Sequence, residues 1–310
     1  MVKNAFINTI TELAQKDEKI VLLTADLGYK IFDNFNEMFP NRFYNVGIAE
    51  ANMVSMAAGL TLEGFKPYIY SIVPFVTARC YEQIRNDIAY NFRNVKIIGA
   101  GGGCSYGHGG MSHHGIEDIS IMRSMPNMFV FCPGDSFETE AVISCSYGVH
   151  TPCYIRLGRG GEPKIHKEKI KNYTSGQVIF FSHMSFKKVH ILSTGGILST
   201  AFKLRDNLKS LDIDCEVVSF PSIVPLSVGS ICDIAKKSEL IVTLEENYLK
   251  GGFGSAVAEC LMEQEINVKF MRFGIEGFQY YSGDQDYLRK KNGLSVFNMS
   301  KNILKKLEML

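Results

Sequence analysis

The sequence predicts two successive doubly wound α/β domains joined by a polar linker, the first with a mainly parallel sheet and the second smaller. Three observations predict it. Short apolar runs alternate with segments of helical periodicity, the pattern of parallel sheets covered on both faces. A glycine-rich stretch directly follows one apolar run, where an open α/β sheet presents its ligand-binding loops. The alternation is interrupted over residues 158–187, which begin with the polar segment GRGGEPKIHKEKIKNYTSG, and then restarts.

Phe6, Ile10 and Leu13 fall at i, i+4 and i+7, so residues 4–16 read as a helix. Residues 20–25 form a short apolar run, a buried strand, and 44–48 a second candidate strand. Met53, Ala57 and Leu60 recur at helical spacing, with Gly59 and Gly64 breaking the pattern near its end. Residues 66–73 read as a strand with Pro67 at its start, 76–90 as helix and 95–98 as strand. The stretch GAGGGCSYGHGG, residues 99–110, has seven glycines in twelve residues, too many for a regular element. Helix over 116–123, strand over 128–131, helix over 137–146 and strand over 153–156 complete a first domain, residues 1–160. The linker, 161–187, has room for a short hairpin. The second domain, 188–310, reads as strands over 189–192, 215–220, 240–244 and 268–273. Its helices fall over 199–211, 231–236, 254–263 and 300–310.

Composition removes several function classes. The 310 residues are 46% hydrophobic and 21% charged, which suits an ordinary globular protein of about two domains. The formal net charge is +1 and basic tracts are short, pairs such as Lys187-Lys188 and Lys305-Lys306 and the triplet Arg289-Lys290-Lys291, so no field favours nucleic acid or an anionic membrane. No stretch approaches the roughly 18 uninterrupted apolar residues of a membrane span. The N-terminus carries Asn4, Asn8, Thr9 and Glu12 inside its apolar pattern, unlike a signal peptide. A cytoplasmic protein is the expectation. The eight cysteines contain no C-x-x-C pair, so neither a zinc knuckle nor a redox motif is indicated.

Two features invite a functional reading. The glycine stretch lacks both G-x-x-x-x-G-K-[ST] and G-x-G-x-x-G, so it is not a nucleotide loop. It leads instead to Ser112, His113 and His114 beyond the end of a strand. Adjacent histidines point in different directions and lack a third ligand, which argues against a metal. The second feature is Glu50, within NVGIAEANMVSMAAGL. A carboxylate at a strand-to-helix junction either complements the helix N-terminus or is held desolvated for proton work.

Six segments in order carry a wider signal: IVLLTADLG, VGIAEANMVSMAAGL, FVTARCYEQIRNDI, GHGGMSHHGIEDISIMRSMPNMFVFCPGD, PCYIRLGRG and VTLEENYLKGGFGSAVAE. Together they resemble the transketolase family over its pyrimidine-binding and C-terminal domains. Each is modest alone. The family's G-D-G…N magnesium and diphosphate ligands have no match here. The resemblance therefore implies the C-terminal subunit of a split, thiamine-diphosphate-dependent transketolase. Its magnesium and diphosphate ligands would lie on a separate N-terminal-type subunit, the whole forming an α2β2 heterotetramer.

The same resemblance implies residue roles. Glu50 matches the glutamate that hydrogen-bonds ring nitrogen N1′ of the cofactor's aminopyrimidine, which promotes loss of the thiazolium C2 proton. Phe75 matches the aromatic stacked on that ring; Ile72 and Ala78 fall where further aromatics often stand. Asp26, in TADLG, matches a residue near the thiazolium, its plain alternative being a turn after a strand. His113 matches the histidine that contacts the substrate's reacting carbonyl or hydroxyl. Two donor-recognition groups are replaced by Gly101 and Gly109, with His108 and His114 as candidate substitutes. That departure implies a deoxy, modified or otherwise unusual ketose rather than an ordinary pentulose phosphate. Arg159 matches an arginine that binds the acceptor phosphate, and Lys3 stands where another such arginine often is, a less directional partner. The VTLEENYLKGGFG segment reads as architectural. Three alternatives stand beside this reading: the β subunit of a 2-oxo-acid dehydrogenase, a deoxyxylulose-phosphate-synthase-like enzyme, and a non-catalytic regulatory protein.

Overall fold

A computed structural model describes residues 1–309. The chain opens with the helix Val2–Ala14, whose Val2, Phe6 and Ile10 are buried. Six strands follow in the first half: β1 (Ile20–Thr24), β2 (Phe43–Asn45), β3 (Lys66–Ile72), β4 (Lys96–Ala100), β5 (Phe129–Phe131) and β6 (Cys153–Leu157). All five residues of β1, β4 and β6 are buried, because helices cover both faces of the sheet. The second half adds β7 (Ile179–Phe180), β8 (Lys187–Ser193), β9 (Cys215–Ser219), β10 (Ser222–Val224), β11 (Ser238–Tyr248) and β12 (Lys269–Ile275).

The first sheet runs β10-β5-β6-β4-β3-β1-β2 and the second β12-β11-β8-β9-β7. The pairs β1–β2, β1–β3, β3–β4, β4–β6 and β5–β6 are parallel. So are β8–β9, β8–β11 and β11–β12. The two exceptions sit at sheet edges. Strand β7, in the linker, pairs antiparallel with β9 of the second domain rather than forming the expected hairpin within the linker. Strand β10 leaves the second domain and pairs antiparallel with β5, Ser222 opposite Phe131. The first sheet is thus completed by a segment from the second half.

Other departures have local causes. The helix expected over 76–90 is broken into Val73–Val76, Tyr81–Gln83 and a π-helical stretch Ile84–Ala89. Pro74, with its fixed φ, starts the first turn ahead of the periodic residues. Two short helices, Asp33–Met38 and Gln285–Lys291, were not predicted; each buries one residue, Phe35 and Leu288. The last helix is Val296–Lys306, started by Ser295, which accepts from Asn298 N. Leu310, the expected end of that helix, lies outside the described residues.

Candidate active site

The order β4-β3-β1-β2 places the loops after those strands side by side at one sheet edge. Glu50 is the first residue of the helix Glu50–Leu62 and is 1% exposed. It is the acidic residue of that helix's first turn, as the helix-complement reading expects, and its hydrogen bonds go elsewhere. Its Oε1 accepts from Ser71 Oγ at 3.0 Å, and its Oε2 lies 2.7 Å from Arg79 Nη1. Burying a carboxylate is costly unless it is paired and hydrogen-bonded, and both conditions are met here. Ser71 comes from β3 and Arg79 from the turn beyond it, so one strand end positions both partners.

Arg79 also covers Phe75, its guanidinium carbon 4.4 Å from the ring centre. The other neighbour of Phe75 is His113, edge-on with ring centres 5.2 Å apart. Glu50, Arg79, Phe75 and His113 therefore form one continuous line. Ile72 ends β3 and is buried. Asp26 is exposed with φ +53° and exchanges hydrogen bonds with Asn45, N to Oδ1 at 3.0 Å and Nδ2 to Oδ1 at 3.2 Å. It lines a hollow of about 310 Å³ with Gly28, Phe32 and Asn45, beside the Glu50 line but not in contact with it.

The glycine loop leaves β4 at Ala100. Gly103 and Gly115 bond each other's backbone, N to O at 2.6 and 2.9 Å, closing the loop at its base. Cys104 N donates to Glu246 Oε1 at 3.1 Å, so the second domain holds the loop. Behind it lies a buried network. Arg156 Nη2 donates to Gly115 O and Glu246 O, its Nε lies 3.0 Å from Asp118 Oδ2, and Tyr154 Oη donates to the same oxygen at 2.6 Å. Burial works against the charge of Arg156, but Asp118 more than restores it, so its pKa rises.

The three histidines separate in role. His113 is half-buried, with Nδ1 3.0 Å from Ser112 Oγ. His108 is exposed. His114 is fully buried, with Nε2 3.0 Å from Gly107 O. It ties the loop to itself through that nitrogen, while its Nδ1 is buried with no partner in the protein.

Tyr106 is the residue the sequence reading missed. Its ring lies 6.0 Å from that of His113, with Lys3 Nζ 5.8 Å and Arg159 Cζ 5.1 Å from its centre. Burial lowers the Lys3 pKa, Glu162 pulls it back, and the neighbouring Arg159 lowers it further. Tyr106 is the only aromatic in the glycine stretch, and that was its one signal in sequence. The glutamates of the LEEN segment bond to neighbouring backbone. Glu245 accepts from Phe253 N and Gly254 N at 2.7 Å each, at the start of the helix Phe253–Glu263.

A buried carboxylate beside a half-buried aromatic fits the hydrogen-bonding edge and flat face of an aminopyrimidine. Among the described residues no group of three or more His, Cys, Asp or Glu could hold a metal ion.

Comparison with known proteins follows the same lines. Residues 1–163 match the transketolase pyrimidine-binding domain and residues 184–299 the transketolase C-terminal domain. The chain is 34% identical to a putative transketolase C-terminal section of Methanocaldococcus jannaschii, over 99% of this chain and 96% of that protein. It is also 34% identical to the 6-deoxy-6-sulfo-D-fructose transketolase subunit SqwH of a Clostridium species, over 95% of this chain and 91% of the other. Identity to one of the apulose-4-phosphate transketolase subunits of Phocaeicola vulgatus is 30%, over 97% and 96%. Among solved structures, a split-gene transketolase described as an inactive beta4 tetramer superposes with a TM-score of 0.89 at 33% identity, over 99% of this chain and 98% of that one. The two matched domains, in this order and over nearly the whole chain, place this protein in the transketolase family.

Proposed function

We propose that this chain is the pyrimidine-binding, C-terminal subunit of a two-component thiamine-diphosphate-dependent transketolase. The reaction is transfer of a two-carbon ketol unit from a ketose donor to an aldehyde acceptor. One observation carries the reading: Glu50 is buried between Ser71 and Arg79 beside the Phe75 ring. Thiamine diphosphate supplies the reactive C2 carbon when bound. Glu50 holds a proton at N1′ of the aminopyrimidine, and Phe75 supports the ring. Ile72 and Asp26 border the cofactor. His113 handles the proton at the donor's reacting oxygen, with His108 at the rim. Lys3 and Arg159 hold the substrate's anionic end.

Diphosphate and Mg2+ are bound by an N-terminal-type partner subunit, since the G-D-G…N pattern has no match in this sequence. The assembly is an α2β2 heterotetramer working in the cytoplasm. No described helix is long and apolar enough to cross a membrane. Relatives named as a C-terminal section and as subunits support the split arrangement. Relatives named for 6-deoxy-6-sulfo-D-fructose and apulose 4-phosphate support an unusual ketose, as do Gly101 and Gly109.

The test uses the complex of both subunits, with deuterium exchange at the thiazolium C2 followed without substrate. Glu50→Gln should slow exchange and turnover by about 10²-fold or more. His113→Ala should leave exchange near normal and damage the substrate steps. Exchange as fast as wild type in the Glu50→Gln complex removes the central assignment.

A further inference from the structure

Gly101 is the first residue beyond β4 and has φ +83°. A Cβ there would lie 2.0 Å from Cε2 and 2.1 Å from Cδ2 of Tyr106. A side chain at 101 would have to displace that ring, so in its present position the ring occupies the space such a side chain would fill. The wall of the site at this point is built from residue 106.

The rest of the glycine stretch offers little competition. Cys104 is buried, and Ser105 Oγ is committed to Gly102 O at 2.7 Å. His108 is exposed at the rim. Tyr106 is half-buried and its hydroxyl makes no hydrogen bond among the described residues, with His113 on one side and Lys3 and Arg159 near its ring. Burial raises its pKa while Arg159 pulls it down, and the net rise keeps the phenol a neutral O–H donor. A ketose with its reacting carbon at His113 and an anionic terminus at Lys3 and Arg159 would run alongside this ring.

We infer that Tyr106 is a specificity-determining residue. Its ring replaces the side chain Gly101 lacks, and its hydroxyl hydrogen-bonds a hydroxyl of an anionic ketose donor between His113 and the two cations. The inference rests on the ketol-transfer reading above. A site built around such a hydrogen bond discriminates strongly against a substrate lacking the group, because the phenol is then left unpaired.

The experiment compares wild type, Tyr106→Phe and Tyr106→Leu in the two-subunit complex. Anionic ketoses and counterparts each lacking one hydroxyl are the donors, and C2 deuterium exchange without substrate is the control. Tyr106→Phe should lower kcat/KM for the preferred donor about 10- to 100-fold. It should change one deoxy counterpart by no more than about threefold and leave C2 exchange at the wild-type rate. Tyr106→Leu should further raise KM for anionic donors, since Lys3 and Arg159 lose the ring beside them. If Tyr106→Phe preserves the wild-type ratio of kcat/KM for every donor and its deoxy counterpart, the inference is overturned while the proposed function stands. If the wild-type complex transfers no ketol unit from any ketose, both fall together.

Discussion

Arg79 reaches back onto Glu50 with Nη1 2.7 Å from Oε2, although its own side chain is 46% exposed and that of Glu50 only 1%. The pair is lopsided: a wet cation serves a dry carboxylate. Replacing Arg79 with Met leaves Glu50 with Ser71 as its one partner. The expected cost is about 1–2 kcal/mol, below the roughly 3–5 kcal/mol of breaking a fully buried pair. Urea denaturation of this chain measures it. The same variant should bind thiamine diphosphate more tightly in the complex, because the aminopyrimidine then meets a carboxylate it need not share. Weaker cofactor binding in Arg79→Met would show that Arg79 helps to hold the ring instead.

Glu246 carries a second prediction. It accepts from Cys104 N in the glycine loop and from Arg289 Nη2 at 2.8 Å, and both members of that ion pair are nearly buried. Glu246→Ala should cost about 2–4 kcal/mol, since it leaves the guanidinium only the exposed Asp286 at 3.8 Å. Amide hydrogen exchange over residues 101–115 should accelerate more than in the strands of the first sheet. Uniform acceleration throughout the chain would mean that Glu246 supports only global stability.

The cluster behind the linker gives a pH dependence of two signs. Burial alone would push Asp135 up, yet hydrogen bonds from His166 and from backbone N–H groups hold it at about 2. That is below the unfolded value of about 3.9, so its stabilisation is present above about pH 4 and lost as pH falls through 2. Burial raises Glu138 to about 7, against an unfolded value of about 4.3. Its contribution is present below about pH 4 and lost as pH rises through 7. His166 adds to the second trend. Burial lowers its pKa, but Asp135 and Glu138 outweigh that and raise it, so its share is also lost on the alkaline side. Stability measured against pH should fall less steeply below pH 4 in Asp135→Asn and less steeply between about pH 4 and 7 in Glu138→Gln. Unchanged slopes in both would remove the cluster as the source.

The proposed cationic subsite of Lys3 and Arg159 gives a further prediction. Arg159→Ala should raise KM for an anionic ketose about tenfold or more, and Lys3→Met by less, with C2 exchange untouched. The Arg159 effect should shrink at high salt. Equal KM values for anionic and neutral ketoses in wild type would argue against a cationic subsite.

The strands were legible because they are buried on both faces and read as continuous apolar runs, as in β1, β4 and β6. The helices Asp33–Met38 and Gln285–Lys291 were not, since a helix burying one side chain shows no period. Glu50 stood out as a carboxylate in an apolar window. Arg79 and Tyr106 did not. An arginine or tyrosine carries no local mark of its partner, and Arg79 meets Glu50 only because β3 lies beside the helix that Glu50 begins. The His113-His114 pair shows the converse limit: two adjacent identical residues differ in burial, His113 half-buried and His114 fully buried with Nε2 on Gly107 O, and sequence gives no sign of which is which.

Strand β10 limits how far the halves can be treated as interchangeable modules. It caps β5, and the junction is closed by Cys132 N donating to Pro221 O at 2.7 Å and Gly195 N donating to Cys132 O at 3.0 Å. A chain cut in the linker would leave the Phe129–Phe131 strand with one row of backbone groups unmet, a ready template for pairing with a second molecule. Swapping C-terminal halves between relatives is therefore a graft of a sheet edge as well as of a domain. A chimera succeeds only if residues 220–224 travel with a matching β5.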